Sequence, residues 1–285
     1  MFKKTMVRGL MAAVALRAML GGTALSDTIF SNDLETDTHG FAVDPSGDLT
    51  SLSRVLLPTD DAGPSSPNQS HWLGEIGAGV PKSPTGYEKV DLPLTGLVPG
   101  QVYTVAFDLL IGASWDGSAG APYGPDTWYF SANGTRLVDA TFSNLQLNYN
   151  AGAYSPQTYS VAHHTNPATD PLVPNFTGAA AFYSVPGSDY AVDYSIYYFS
   201  HGTGNPVLQF TATGSSALLQ FARYGNTYDS SDEYWALDNV VVTGQAVPEP
   251  TAFTLLASAG LSTAVVALVR RRRHRVAGLR VVKAA

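Results

Sequence analysis

The sequence predicts an all-β protein built as an antiparallel β-sandwich, and three observations support this fold class. Apolar residues at every second position indicate half-buried strands, most clearly in residues 102–109. Turn-forming pairs such as Pro99-Gly100 separate these stretches from one another. Between residues 27 and 246 the sequence shows no amphipathic helical run of normal length. Many strands without alternating helices are typical of sandwiches and barrels.

The clearest local signal is a β-hairpin. Residues 127–132 and 136–142 are predicted strands, and Asn133-Gly134 between them suits the positive φ angles of a two-residue hairpin turn. We expect long loops around residues 59–67 and 149–178, and the first and last strands of the sandwich close together in space. Further strands are predicted at residues 192–199, 207–213, 217–223 and 234–242.

Charge is distributed unevenly along the 285 residues. The chain has a net charge of -7, yet all 23 acidic residues lie between Asp27 and Glu249. That region holds five basic residues, so its net charge is -18. Such a surface repels phosphate backbones, and we expect no nucleic-acid partner. The absence of cysteine excludes disulfides, thiol catalysis and zinc–thiolate sites.

The first 26 residues have the pattern of a secretion signal. Three basic residues within the first eight positions precede a largely apolar stretch at residues 9–20. Ala24-Leu25-Ser26 then offers the small residues that a signal peptidase reads. We therefore expect residues 1–26 to be a signal peptide and residues 27–246 to be an exported passenger domain.

The C-terminal region has the pattern of a membrane anchor. Residues 251–269 carry no charge, and as a helix they would span about 28 Å, close to the hydrocarbon thickness of a bilayer. The positive-inside rule places the basic cluster that follows, and a tail at residues 276–285, in the cytoplasm. This cluster consists of Arg270, Arg271, Arg272, Arg273 and Arg275.

These C-terminal features resemble a known sorting signal. The motif Val247, Pro248, Glu249 and Pro250, followed by an apolar helix and an arginine cluster, resembles the PEP-CTERM signal of Gram-negative bacteria over residues 247–275. The resemblance implies processing by an exosortase-type enzyme and an association with exopolysaccharide. It also implies an inner-membrane anchor, with the passenger outside the cytoplasm and a final place at the cell surface or in the extracellular matrix.

The passenger resembles a second family more distantly. The strings "SNDLETDTHGF", "LTGLVPGQVYTVAFDL" and "DEYWALDNVVV" are similar to those of jelly-roll carbohydrate-binding modules. This resemblance implies a jelly-roll-like sandwich, a carbohydrate-binding role and a structural calcium ion.

Acidic residues at both ends of the passenger are candidate calcium ligands. Asp33, Glu35 and Asp37 alternate, so they would face one way in an extended segment. Asp238 lies in the last predicted strand. Carboxylates are hard oxygen ligands that suit calcium, and one ion could join the two ends. The alternative is an ordinary solvated acidic surface.

Two tryptophans beside acidic residues are candidate ligand-binding groups. Trp115 is followed by Asp116, and Asp126 lies two residues before Trp128. Exposed indole rings could stack on a sugar while the acids accept its hydrogen bonds. The alternative is that both tryptophans pack in the core or across strands.

Catalytic patterns are sparse, and the sequence assigns no catalytic residue. It contains neither a Gly-x-Ser-x-Gly elbow nor a His-Glu-x-x-His zinc motif. A two-carboxylate hydrolase needs only a suitable pair of acids, and nothing in the sequence selects a pair. The leading interpretation is a non-enzymatic surface or matrix protein. A carbohydrate-binding module is the second interpretation and a polysaccharide hydrolase the third.

Overall fold

The computed structural model describes the passenger domain with several gaps. The signal peptide, the sorting motif, the apolar segment, the arginine cluster and the C-terminal tail that the sequence predicts lie outside the described residues. The described residues are 27–45, 49, 51–63, 65–77, 87–119, 124–144, 156–183, 194–201, 204–224 and 233–244.

The described residues are all-β and form two antiparallel sheets, with strands numbered here in chain order. None of them forms a helix of the length and apolar character that crossing a membrane requires. Sheet A contains β1 (Asp27–Asn32), β3 (Arg54–Pro58), β4 (Gln69–Ile76), β6 (Val102–Ala113), β9 (Ala181–Tyr183), β10 (Tyr194–Phe199), β11 (Leu208–Thr211) and β13 (Glu233–Gly244). Sheet B contains β2 (Ala42–Val43), β5 (Tyr87–Thr95), β7 (Thr127–Ala132), β8 (Thr135–Thr141) and β12 (Ser216–Tyr224).

Two twelve-residue strands, β6 and β13, run side by side through the middle of sheet A. On the far side of β13, β4 pairs with its first half and β1 with its second half. On the far side of β6, β11 pairs with its first half and β10 with its second half. The pairing of β1 with β13 confirms that the first and last strands are neighbours.

Sheet B has the order β2-β5-β12-β7-β8 and contains the predicted hairpin. Asn133 and Gly134 connect β7 to β8 with φ angles of 49° and 78°, which confirms the turn. The Asn133 side chain also accepts a hydrogen bond from the amide of Leu218 at 2.9 Å. The turn is therefore held to the neighbouring strand β12 as well as to its own hairpin.

Replacing Gly134 with valine is expected to lower the free energy of unfolding by about 1 kcal/mol or more, because a β-branched residue resists a positive φ. A Cβ atom at this position would meet no atom within 4 Å, so the penalty comes from the backbone and not from a clash. Gly214→Val is the matched control, since that site is equally open and its φ is not in the left-handed region. Urea unfolding of both variants checks the prediction, and equal midpoints would contradict it.

The two sheets enclose one large aromatic core. The strongly alternating strand β6 buries Tyr103, Val105, Phe107, Leu109 and Ile111 against sheet B. A smaller apolar cluster lies on the opposite, outer face of sheet A. Its buried members are Leu57, Trp72, Leu110, Tyr194, Ile196 and Ala236.

Candidate functional site

The outer face of sheet A carries two acids directly opposite each other. Asp108 of β6 pairs in register with Asp238 of β13. Their neighbours Phe107 and Leu237 belong to the core, so strand alternation turns both carboxylates to the outer face. Only 1 % of Asp238 is exposed, so this acidic residue is buried.

A β-bulge positions the groups around these acids. The register between β13 and β6 shifts after Asp238, and Asn239 adopts a left-handed φ of 51°. The Asn239 amide donates to Asp238 Oδ1 at 2.7 Å, and its side chain donates to Asp108 Oδ2 at 2.8 Å. His201 Nε2 lies 3.2 Å from the other oxygen of Asp108.

Glu35 reaches the same place from the segment after β1. The Ser70 Oγ of β4 lies 2.6 Å from Glu35 Oε1 and 2.8 Å from Asp238 Oδ2. The His71 amide and His71 Nδ1 contact the Glu35 carboxylate at 3.1 and 3.0 Å. We call this group the sheet A cluster, and its members are Glu35, Ser70, His71, Asp108, His201, Asp238 and Asn239.

The environments of Glu35 and Asp238 separate their pKa values. Hydrogen bonds from Ser70 and His71 lower the pKa of Glu35 to about 2. Burial raises the pKa of Asp238 to about 7. A serine hydroxyl has one proton and cannot donate to both carboxylates at once. A protonated Asp238 resolves this, because it donates to Ser70, which in turn donates to Glu35.

The raised pKa of Asp238 predicts a stability that falls with pH. The folded state holds this proton between about pH 3.8 and pH 7, whereas the unfolded state has released it. The contribution is therefore fully present below pH 3.8 and is lost as the pH rises to about 7. One proton corresponds to at most about 1.4 kcal/mol per pH unit.

Asp238→Asn tests this prediction, since an amide can donate to Ser70 as the protonated acid does. Over this pH window in chelator, we expect a flatter curve of unfolding free energy for Asp238→Asn than for the wild type. Asp37→Asn, which changes an exposed acid, serves as the control and should keep the wild-type slope. Parallel curves for Asp238→Asn and the wild type would mean that Asp238 titrates normally.

Asp33 and Asp37 do not join the sheet A cluster. The expectation that residues 33–37 form an extended segment is wrong, because β1 ends at Asn32 and turns follow. Asp33 accepts a hydrogen bond from the amide of Glu35, and Asp37 accepts one from the amide of His39. Short acidic side chains compete with strand pairing in this way. Of the three predicted acids, Glu35 is the one that contacts Ser70, the hydroxyl partner of Asp238.

The structure places the candidate ligand-binding residues at one end of the core. Trp115 and Trp128 are both 0 % exposed, so neither ring offers a stacking surface to a sugar. They have the packing role that the sequence also allowed. Asp126, directly before β7, is also fully buried, whereas Asp116, after β6, is half-buried.

These two acids belong to a second group, which we call the end cluster. Arg223 of β12 donates to Glu88 Oε1 at 2.9 Å and to Glu233 Oε2 at 2.6 Å. Asp126 Oδ2 accepts a hydrogen bond from the Asp116 amide. Burial, followed by the charge of Glu233, raises the pKa of Asp126. The end cluster consists of Glu88, Asp116, Asp126, Arg223 and Glu233. These charged groups lie at one end of the core.

Sequence reasoning missed several members of both clusters. Ser70, His71 and His201 carry no local motif, and their partners lie far away along the chain. Asp108 and Arg223 had a usable signal, because each is the one charged residue of its strand. Such a residue commonly has a specific partner when the strand is buried.

No protein-family model matches the chain, and no curated protein matches it. Its class is therefore defined by its own fold and sites. The described residues form an all-β antiparallel sandwich with one polar cluster on the outer face of sheet A and a second at one end of the core.

Proposed function

We propose that the chain is an exported, membrane-tethered surface or extracellular-matrix protein that acts without catalysis. The observation that carries the proposal is the order of features in the sequence. Residues 247–250, the apolar residues 251–269 and the following arginines resemble a PEP-CTERM signal, and residues 1–26 resemble a secretion signal. An exosortase-type enzyme is the expected partner, and we expect the protein to be associated with exopolysaccharide.

Burial in the sheet A cluster favours a non-catalytic role. Asp238 is the acid with the most strongly perturbed pKa there, but its 1 % exposure leaves no room for a polymer to reach it. Its contacts with Ser70 and Asn239 are those of a group that holds strands together.

The tethering proposal is tested by truncation after Ala246 and fractionation of the native host. We expect the full chain in the membrane fraction and the truncated chain released from it. Replacing only the arginines 270–273 with glutamine is a matched control for charge. Equal membrane retention of the truncated and full chains would overturn the anchor, and mature protein that always ends at Ala285 would overturn the processing.

A carbohydrate-binding module is the second candidate, and a partly exposed aromatic group on sheet A favours it. Tyr198 pairs in register with Asp108, and its ring lies 6.2 Å from that of His201 in an edge-to-face arrangement. An aromatic ring beside an acid and an imidazole is a combination that can stack on a sugar and hydrogen-bond to it. In the jelly-roll modules that this passenger resembles, calcium commonly joins the two ends, and Glu35 and Asp238 would be its ligands here.

Glycan-array binding by the detergent-solubilised full chain tests this second candidate. We expect binding to fall about tenfold or more in Tyr198→Ala, if a sugar gains from stacking on this ring about as much as the 1–3 kcal/mol that a nucleic-acid base gains from an aromatic side chain. Phe182→Ala removes an exposed ring from the adjacent strand β9 and is the control. Equal binding by both variants would remove Tyr198 from the site. Loss of a calcium-induced melting shift in Glu35→Gln with Asp238→Asn would support the calcium ligands.

A polysaccharide hydrolase remains the third candidate, because the pKa values of Glu35 and Asp238 are driven apart as in acid–base pairs. Turnover of a polysaccharide by the purified chain, abolished in Glu35→Gln, would establish it in place of the first proposal.

A further inference from the structure

The end cluster brings together three carboxylates from separate parts of the chain. Asp116 follows β6, Asp126 precedes β7, and Glu233 is the first residue of β13. One ligand oxygen from each lies within 4.8 Å of the other two. Oxygens bound to one calcium ion at about 2.3–2.6 Å lie at most about 5 Å apart, so the three can share an ion.

Asp126 supplies an independent indication of a missing ligand. The residue is 0 % exposed, and its Oδ1 has no hydrogen-bond partner among the described residues. Its other oxygen already accepts the Asp116 amide. Leaving a buried carboxylate oxygen without a partner is costly, and native proteins rarely do so. The atom belongs to the carboxylate that converges with Asp116 and Glu233, where a cation would satisfy it.

The described members of the end cluster carry more negative than positive charge. The cluster contains four carboxylates, and among its described members Arg223 is the cation. The Arg223 guanidinium contacts Glu88 and Glu233 and also lies 5.7 Å from the Trp115 ring centre. With all acids ionised the cluster has a net charge of about -3 by simple counting, and a divalent cation would reduce it to about -1.

We propose that Asp116, Asp126 and Glu233 bind a divalent cation, most suitably calcium. The donors are all carboxylate oxygens, which favours hard cations over metals that prefer nitrogen or sulfur ligands. Calcium tolerates irregular geometry, whereas magnesium requires a near-octahedral shell. Three ligands from three segments fit the less demanding ion, with backbone carbonyls or water completing its shell.

The ion would have a definite structural effect. Asp116 and Glu233 extend from strands of sheet A, and Asp126 leads into sheet B. A bound cation would therefore cross-link the two sheets at one end of the core. This site is separate from Glu35 and Asp238 and does not depend on the sorting or carbohydrate proposals.

Calcium titration of the chelator-treated, detergent-solubilised full chain tests the proposal, with heat of binding and melting temperature as readouts. We expect the affinity of one calcium to fall at least about tenfold in Asp126→Asn, because loss even of an outer-shell partner has such an effect. Terbium is a second probe, since Trp115 lies beside the site and should sensitise its emission. The double variant Glu35→Gln with Asp238→Asn is the control and should keep this calcium and this emission.

Without metal, Asp126→Asn should be at least as stable as the wild type, because it removes an acid whose ionised form is disfavoured by burial and by the charge of Glu233. If it does not fold, Asp116→Asn at the half-buried position serves instead, with the same expected losses. The proposal is overturned if the wild type binds neither calcium nor terbium. It is also overturned if the Asp126 and Asp116 variants both keep wild-type binding, or if only the control double variant loses it.

Discussion

Replacing Trp128 with alanine is expected to lower the free energy of unfolding by about 3–5 kcal/mol, as for other large buried aromatic residues. Trp128 is fully buried within the aromatic core. The cavity cannot collapse easily, since rigid rings from both sheets surround it. Ring centroids lie 5.8–6.4 Å from that of Trp128 for Phe107, Phe142, Phe199, Phe221 and Trp235.

Denaturant unfolding with two probes measures this effect, and Phe182→Ala is the control. Phe182 is 48 % exposed and stacks on Phe176, so its loss should change the free energy by about 1 kcal/mol. A Trp128→Ala variant as stable as the control would remove Trp128 from the core. Its ring would then again be available as a sugar-binding surface.

The second large effect is expected from Arg223→Met. This change leaves the buried Glu88 and Glu233 carboxylates without the guanidinium that pairs them, and breaking a buried pair in this way typically costs about 3–5 kcal/mol. Methionine keeps most of the apolar stem, so the loss reports the charge and its hydrogen bonds. Denaturant unfolding in chelator measures the change.

Arg136→Met is the matched control for this prediction. Arg136 also forms an ion pair, with Asp139, but its side chain is 36 % exposed. We expect a loss of about 1 kcal/mol there, including its contacts with two tyrosine rings. Adding Glu88→Gln and Glu233→Gln to Arg223→Met should restore part of the stability. A triple variant less stable than Arg223→Met would show that packing, not charge, explains the loss.

The strand pattern was predictable where alternation is strong. Residues 102–109 identified β6, and Asn133-Gly134 identified the hairpin, because both signals depend on local backbone geometry. The sequence did not single out β1 to β5 individually. Prolines, short lengths and irregular alternation weaken the signal there, as in β2 with two residues. Their places are decided by pairing with distant strands, which no short window contains.

The sites were predictable only in part for the same reason. Glu35 and Asp238 were expected together, and each contacts Ser70. The grouping of Asp126 with Glu233 depends on how strands of two sheets meet at one end of the core. For Trp115 and Trp128 the difficulty is local. A buried indole and a sugar-stacking indole can have the same neighbouring residues in the sequence. Only the three-dimensional packing distinguishes them.

The position of β13 between β6 and β1 has a mechanical consequence. Asp27 pairs with Gly244, so the first and last residues of the sandwich lie side by side at the same end of the strands of sheet A. A pull applied at Gly244 along the axis of β13 acts at right angles to its hydrogen bonds, because antiparallel hydrogen bonds lie perpendicular to the strands. The bonds to both neighbours are then sheared together instead of being opened one by one. A surface protein held through this strand would resist drag from the fluid around it far better than one held through an edge strand peeled from its end.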